Sequence, residues 1–197
     1  NDWLTVGIKK TTYVVFFLSR TWLSVVIMCT MNILLSTKVN DRKEAFVLKL
    51  KALYDIEREL VEALPKLEEA AHDPELKEGF RNHLGETHGH IRRLEQAFKT
   101  LGEEADTERS SGIRGIIASG EWVAKDVEAP DAIKDALLAS AARYAEHYEI
   151  SGYLGAIMEA ELLGYMEIAA DLLETLDEER AADGKLAEAA RKNFGAE

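Results

Sequence analysis

Cysteine occurs once in the 197-residue chain, at Cys29, which excludes an internal disulfide and any cysteine-based zinc site. Proline occurs only at Pro65, Pro74 and Pro130, so long stretches lack the residue that most strongly breaks a helix. Basic charge is scarce, with 24 Lys and Arg against 36 Asp and Glu and a formal net charge of −12. One acid against four bases up to Asn40 leaves that stretch at +3 and the remainder at −15. So acidic a surface repels phosphate backbones, and no nucleic acid is expected as a partner.

One long apolar stretch is present, at residues 11–36, "TTYVVFFLSRTWLSVVIMCTMNILLS", with Arg20 as its one charge. The uncharged run behind it, Thr21 to Thr37, sits at the short limit of the ~17–25 residues that a membrane span needs. An arginine within a span costs about 2.5–3.5 kcal/mol on insertion scales. Three readings follow: an upstream extension of the reading frame over residues 1–30, with a natural start at Met31; a membrane anchor or signal; or a segment packed on the domain. The first is preferred, and membrane contact is expected only under the second. The chain therefore divides into an N-terminal apolar extension, 1–40, and an acidic domain, 41–197. The lone cysteine agrees with a cytoplasmic location.

What the acidic domain does have is helical periodicity throughout. A first helix is expected over 41–71, bent at Pro65. Asp73 as cap and Pro74 at the first helical position open a second, running to about 101. A short helix near 112–127 follows. A third long helix opens at Pro130–Asp131, and Gly164 divides it from a fourth over 165–193. Two short turns flank one connection long enough to cross a bundle. The expected fold is all-α: a ferritin-like four-helix bundle with one long crossover that carries a short extra helix.

Stepping by three and four along each helix exposes an anomaly. The seam of the first reads Phe46, Leu50, Leu53, Glu57, Leu60, Leu64, Leu67. The second gives Leu76, Phe80, His83, Thr87, His90, Leu94, with Glu86 a turn before His90. The third gives Leu138, Ala142, Ala145, Glu149, Gly152, Ala156, and the fourth Ile168, Leu172, Thr175, Glu179, Ala182, Leu186, with Asp183 a turn after Glu179. Residues four apart lie about 40° apart around a helix, so such pairs can reach one point. The halves also match in spacing: Glu57 to Glu86 is 29 residues and Glu149 to Glu179 is 30. Glu146, a turn before Glu149, offers an extra ligand.

Buried carboxylates cost several kcal/mol each unless paired. Two divalent cations would neutralise them, and carboxylate oxygens with one imidazole suit iron first and manganese second. The candidate ligands are Glu57, Glu86, His90, Glu146, Glu149, Glu179 and Asp183. His83 and His88 are weaker candidates, and Asp55 is read as a hydrogen-bond acceptor for a ligand or a solvated side chain. The competing account is a metal-free ionic core in which Arg92, Arg93 and Arg143 pair with the acids.

The segments "LKALYDIERELVEALPKL", "PELKEGFRNHLGETHGHIRRLEQAF", "AEHYEISGY" and "ADLLETLDEERAADGKL" resemble the YciE/YciF/TerF family of ferritin-like bacterial stress-response proteins, over about 45–190. The resemblance implies a dimeric ferritin-like bundle, a dinuclear motif of the iron-carboxylate kind and a role in stress response. The chain departs from the family at Gly85, where an acid often stands, and at "GIRGIIASGEW" in the crossover. It departs from the wider di-iron bundles in pairing its ligands four apart and in placing Asp183 where a second His is common. Metal binding is therefore expected ahead of catalysis, with weak oxidation by oxygen or peroxide as its extension. The expected partners are metal ions and a second copy of the chain. A metal-free dimeric interaction module is the alternative, and a membrane-tethered form a third.

Overall fold

The computed structural model describes residues 37–195. The readings of the apolar stretch and of residues 1–30 lie outside them. Among the described residues five helices follow in order: α1 (Arg42–Ala70), α2 (Pro74–Leu101), α3 (Ser111–Asp126), α4 (Asp131–Leu163) and α5 (Met166–Phe194).

Their ends are set by local chemistry. The Asp41 carboxylate accepts from the Glu44 amide at 2.8 Å and starts α1. Asp73 does the same for α2 through the Glu75 amide at 3.1 Å, with Pro74 in the first turn, where no amide is needed. Gly102 ends α2 at φ 72° and Gly164 ends α4 at φ 81°, a left-handed conformation that glycine adopts without penalty. The amides of Glu103 and Tyr165 then return to the carbonyls of Phe98 and Ala160, both at 2.9 Å. α1 continues through Pro65 to Ala70.

The four long helices form two hairpins, α1–α2 and α4–α5, and the connection between hairpins carries α3 against α1 and α4. The core has the expected composition: Phe46, Leu50, Leu53, Leu60, Leu64, Leu76, Phe80, Leu94, Leu138, Ala156, Ile168 and Leu172 are all buried. Asp55 has a role that sequence alone did not give. It is 6 % exposed and receives the Ser110 amide at 2.8 Å and both terminal nitrogens of Arg114, at 2.7 and 3.1 Å. The crossover helix is thus pinned to α1 by one buried carboxylate. Asp135, also buried, accepts from the His72 and Asp73 amides at 2.8 and 2.6 Å and ties the α1–α2 turn to the start of α4. Among the described residues, no helix is long and apolar enough to cross a membrane.

Candidate metal centre

The polar interruptions of the four seams meet at one level of the bundle. α1 supplies Glu57, α2 supplies His83 and His90, α4 supplies Glu146 and Glu149, and α5 supplies Glu179. Glu57, His90, Glu149 and Glu179 are completely buried. Two sets of ligand atoms cluster, each with all its members within 4.8 Å of one another: His83, Glu146, Glu149 and Glu179 in one, and Glu57, His90 and Glu179 in the other. Glu179 belongs to both. These groups could hold a metal ion.

The hydrogen bonding inside is incomplete, which is the test of whether cations fit. Both oxygens of Glu149 and one of Glu146 lack any donor. Nδ1 of His90 lies 3.3 Å from Glu57 Oε2 and 2.9 Å from Glu179 Oε1, and its one proton cannot serve both. Nε2 of His83 stands 3.4 Å from Glu146 Oε1 and 3.8 Å from Glu179 Oε2. Tyr153, fully buried, donates its hydroxyl to Glu57 Oε1. Among the described residues, no Lys or Arg hydrogen-bonds Glu57, Glu146, Glu149 or Glu179. Buried carboxylates converging from three helices, those of α4 and α5 with orphaned oxygens, form with the two imidazoles a donor set suited to hard or borderline divalent cations.

The electrostatics show the same deficit. Burial first, then the charges of Glu179 and Glu57, push the Glu146 and Glu149 carboxyls well above the usual range. Burial also raises Glu57, against the pull of His90. For Glu179 burial acts upward too, but the contacts with His90 and His83 outweigh it and hold the group low. Burial would lower His90, yet Glu179 and Glu57 prevail and its pKa is pushed up to about 10. In the protein alone, charge is offset by the His90 imidazole, which favours its protonated form, and by acids whose ionisation burial disfavours.

Not every candidate faces this centre. Asp183 turns toward α4, where Arg143 Nε holds it at 2.7 Å and His147 Nε2 lies at 3.3 Å. A step of four along α5 carried it past the seam onto the helix flank. Glu86 stands at the margin, 3.3 Å from His83 Nδ1 and 3.8 Å from Lys185 Nζ, with its side chain 29 % exposed. His83, ranked below His90 in the sequence, is inside the first cluster; its place on the seam, seven residues before His90, was the available signal. Glu178 had no such signal. Its Oε2 lies 3.0 Å from His90 Nε2 and receives Arg93 Nη1 at 2.6 Å. Of the three arginines weighed as core partners, Arg143 does pair with a candidate acid, Asp183, but on the helix flank, and Arg93 pairs with Glu178 and Glu174.

Comparison with known proteins agrees with this architecture. Residues 41–197 match the sequence profile of a family described as a domain of unknown function, DUF892. Protein YciF of Escherichia coli K12 is 36 % identical over 152 residues, covering 77 % of this chain and 91 % of YciF. The crystal structure of the E. coli stress protein YciF superposes with a TM-score of 0.77 at 34 % identity, over 81 % of this chain and 100 % of that one. YcfI from Rhodopseudomonas palustris gives 0.74 at 34 % identity, over 78 % and 97 %. A Xanthomonas campestris protein at 19 % identity shares the fold, with a TM-score of 0.62 over 78 % and 92 %. The chain therefore belongs to the DUF892 family of YciF-like helical-bundle proteins.

Proposed function

We propose that the domain holds two divalent cations, iron or manganese, in the bundle core and serves the cell under stress, as a relative of the E. coli stress protein YciF. The observation that carries this reading is the cluster of four buried carboxylates, three of them (Glu146, Glu149 and Glu179) with unpartnered oxygens, and no Lys or Arg among them. Glu57 and His90 would hold one ion, His83, Glu146 and Glu149 the other, and Glu179 would be shared, as its membership of both clusters favours. Two such ions balance four carboxylates with both histidines neutral. Bound iron or manganese supplies one-electron redox chemistry toward oxygen or peroxide.

The chain's own residues prepare the centre. Glu178, itself held by Arg93, accepts from His90 Nε2 and so directs Nδ1 toward Glu57 and Glu179. Tyr153 fixes one oxygen of Glu57 and leaves Oε2 turned toward His90. Leu53, Phe80 and Leu176, each about one turn from a ligand along its own helix, are buried. Aerobic addition of ferrous iron to metal-free protein should give oxidation that saturates near two ions per chain. Wild type behaving like a Glu57→Ala/Glu149→Ala double variant refutes the reading.

A metal-free module is favoured by one observation, the His90 imidazolium between Glu57 and Glu179, which neutralises part of the core unaided. It leaves Glu149 unaccounted for. Under either reading two copies are proposed to pair through α4, where Leu137, Tyr144, Met158 and Leu162 are exposed. At 3.6 residues per turn they fall within an arc of about 60° on one face. Light scattering at the mass of one chain would contradict the pairing.

A further inference from the structure

A cavity of about 50 Å³ lies between α2 and α5, room for a short file of waters. Gly79, His83 and Glu86 of α2, Glu146 of α4, and Ala182 and Lys185 of α5 are among its walls. It runs from the surface to the core. Lys185, 61 % exposed, stands at the outer end, and Glu86 is half-buried beside it. Glu146, 2 % exposed and with Oε2 unpartnered, closes the inner end. His83 bridges the two carboxylates, 3.3 Å from Glu86 through Nδ1 and 3.4 Å from Glu146 through Nε2. The bore is open at Gly79, where an added Cβ would meet nothing within 4 Å, and Ala182 is a second small residue in a lining that also includes Leu76, Phe80 and Leu186.

We infer that this cavity is the uptake route for divalent cations, with Glu86 as an outer transit ligand, Lys185 as the counter-charge that a cation must displace, and His83 passing the ion to Glu146. The inference rests on the metal-binding reading above. It also explains a residue that the core leaves out: Glu86 carries the charge and spacing of a ligand yet sits a turn outside the centre. Oxygen ligands at the mouth exchange for water at little cost, so the cation sheds its hydration stepwise along the bore rather than all at once inside. Lys185 lies 3.8 Å from Glu86, a loose pair that an arriving dication can replace.

Stopped-flow mixing of the metal-free full chain with cobalt(II), followed by absorbance, measures uptake apart from any oxidation, and equilibrium titration gives affinity. Gly79→Leu should slow uptake and release alike, by about tenfold or more, because passage then awaits helix breathing, with affinity unchanged. Gly184→Leu makes the same change on the exposed side of α5, where an added Cβ also meets nothing within 4 Å, and should leave rates at wild type. Lys185→Gln should accelerate uptake, and Glu86→Gln should slow it by about tenfold, in proportion to the local field. The last two remove a charge without adding bulk, and read the route even if the leucine variant fails to fold. Cobalt binding with rates indifferent to residues 79, 86 and 185 overturns the route and leaves the centre standing. Wild type taking up no cobalt, manganese or iron overturns both.

Discussion

Glu149 is the residue on which the balance between stability and function is most visible. Both its oxygens are buried without a donor, and burial and the neighbouring acids push its carboxyl well above the usual carboxylate range. Such a group costs about 1–3 kcal/mol relative to a satisfied or apolar one. Glu149→Leu should therefore raise the melting temperature of metal-free protein while abolishing any rise on adding manganese; a variant that melts lower in the metal-free state would contradict the reading. At this scale the sequence was informative where side chains fall on a seam. Glu57, His90, Glu149 and Glu179 interrupt apolar repeats, and repeats are legible because burial dictates them. Asp183 and Glu86 were not separable from them, since a 40° turn decides between core and flank. The reach of Arg143 and Lys185, long flexible side chains from other segments, settles that turn.

Helix ends and the crossover carry predictions of their own. Burial tends to raise Asp73, but the Asn193 amide, the Glu75 amide and Lys192 more than offset it and hold its carboxyl below the usual range. Its folded pKa lies below the unfolded one, so its contribution is complete above about pH 4 and is lost as pH falls through the folded value. Asp73→Ala should cost about 1 kcal/mol at neutral pH and flatten the acid limb of the stability profile; an unchanged limb in urea melts from pH 2 to 7 would count against it. Asp55→Ala removes the acceptor for Ser110 and Arg114, and should cost about 1–3 kcal/mol, with hydrogen exchange accelerated first in α3. Exchange rising equally in every helix would contradict a local anchor. The Asp73–Pro74 start and the Gly102 and Gly164 stops were plain in the sequence, because caps are local. The Asp55–Arg114 bond was not, because it joins residues 59 apart in sequence.

At the scale of the whole bundle, two hairpins around one polar layer would make folding and the proposed cation binding a linked equilibrium. An ion that binds only the folded chain at a hundred times its dissociation constant adds about 2.7 kcal/mol of stability, so manganese should raise the melting temperature in a concentration-dependent way. Because His90 must lose its second proton, binding should release protons and weaken as pH falls. The helix count, their order and the short–long–short connections were legible in periodicity and turn residues; the shared position of Glu179 between two clusters was not, because it is a property of four helices at once. The most direct test of the central claim is elemental analysis of the chain purified without chelators or affinity-column nickel. Iron or manganese near two ions per chain, falling sharply in Glu149→Gln, is the predicted result. Trace metal only, in a protein whose melting temperature ignores both ions, would contradict it.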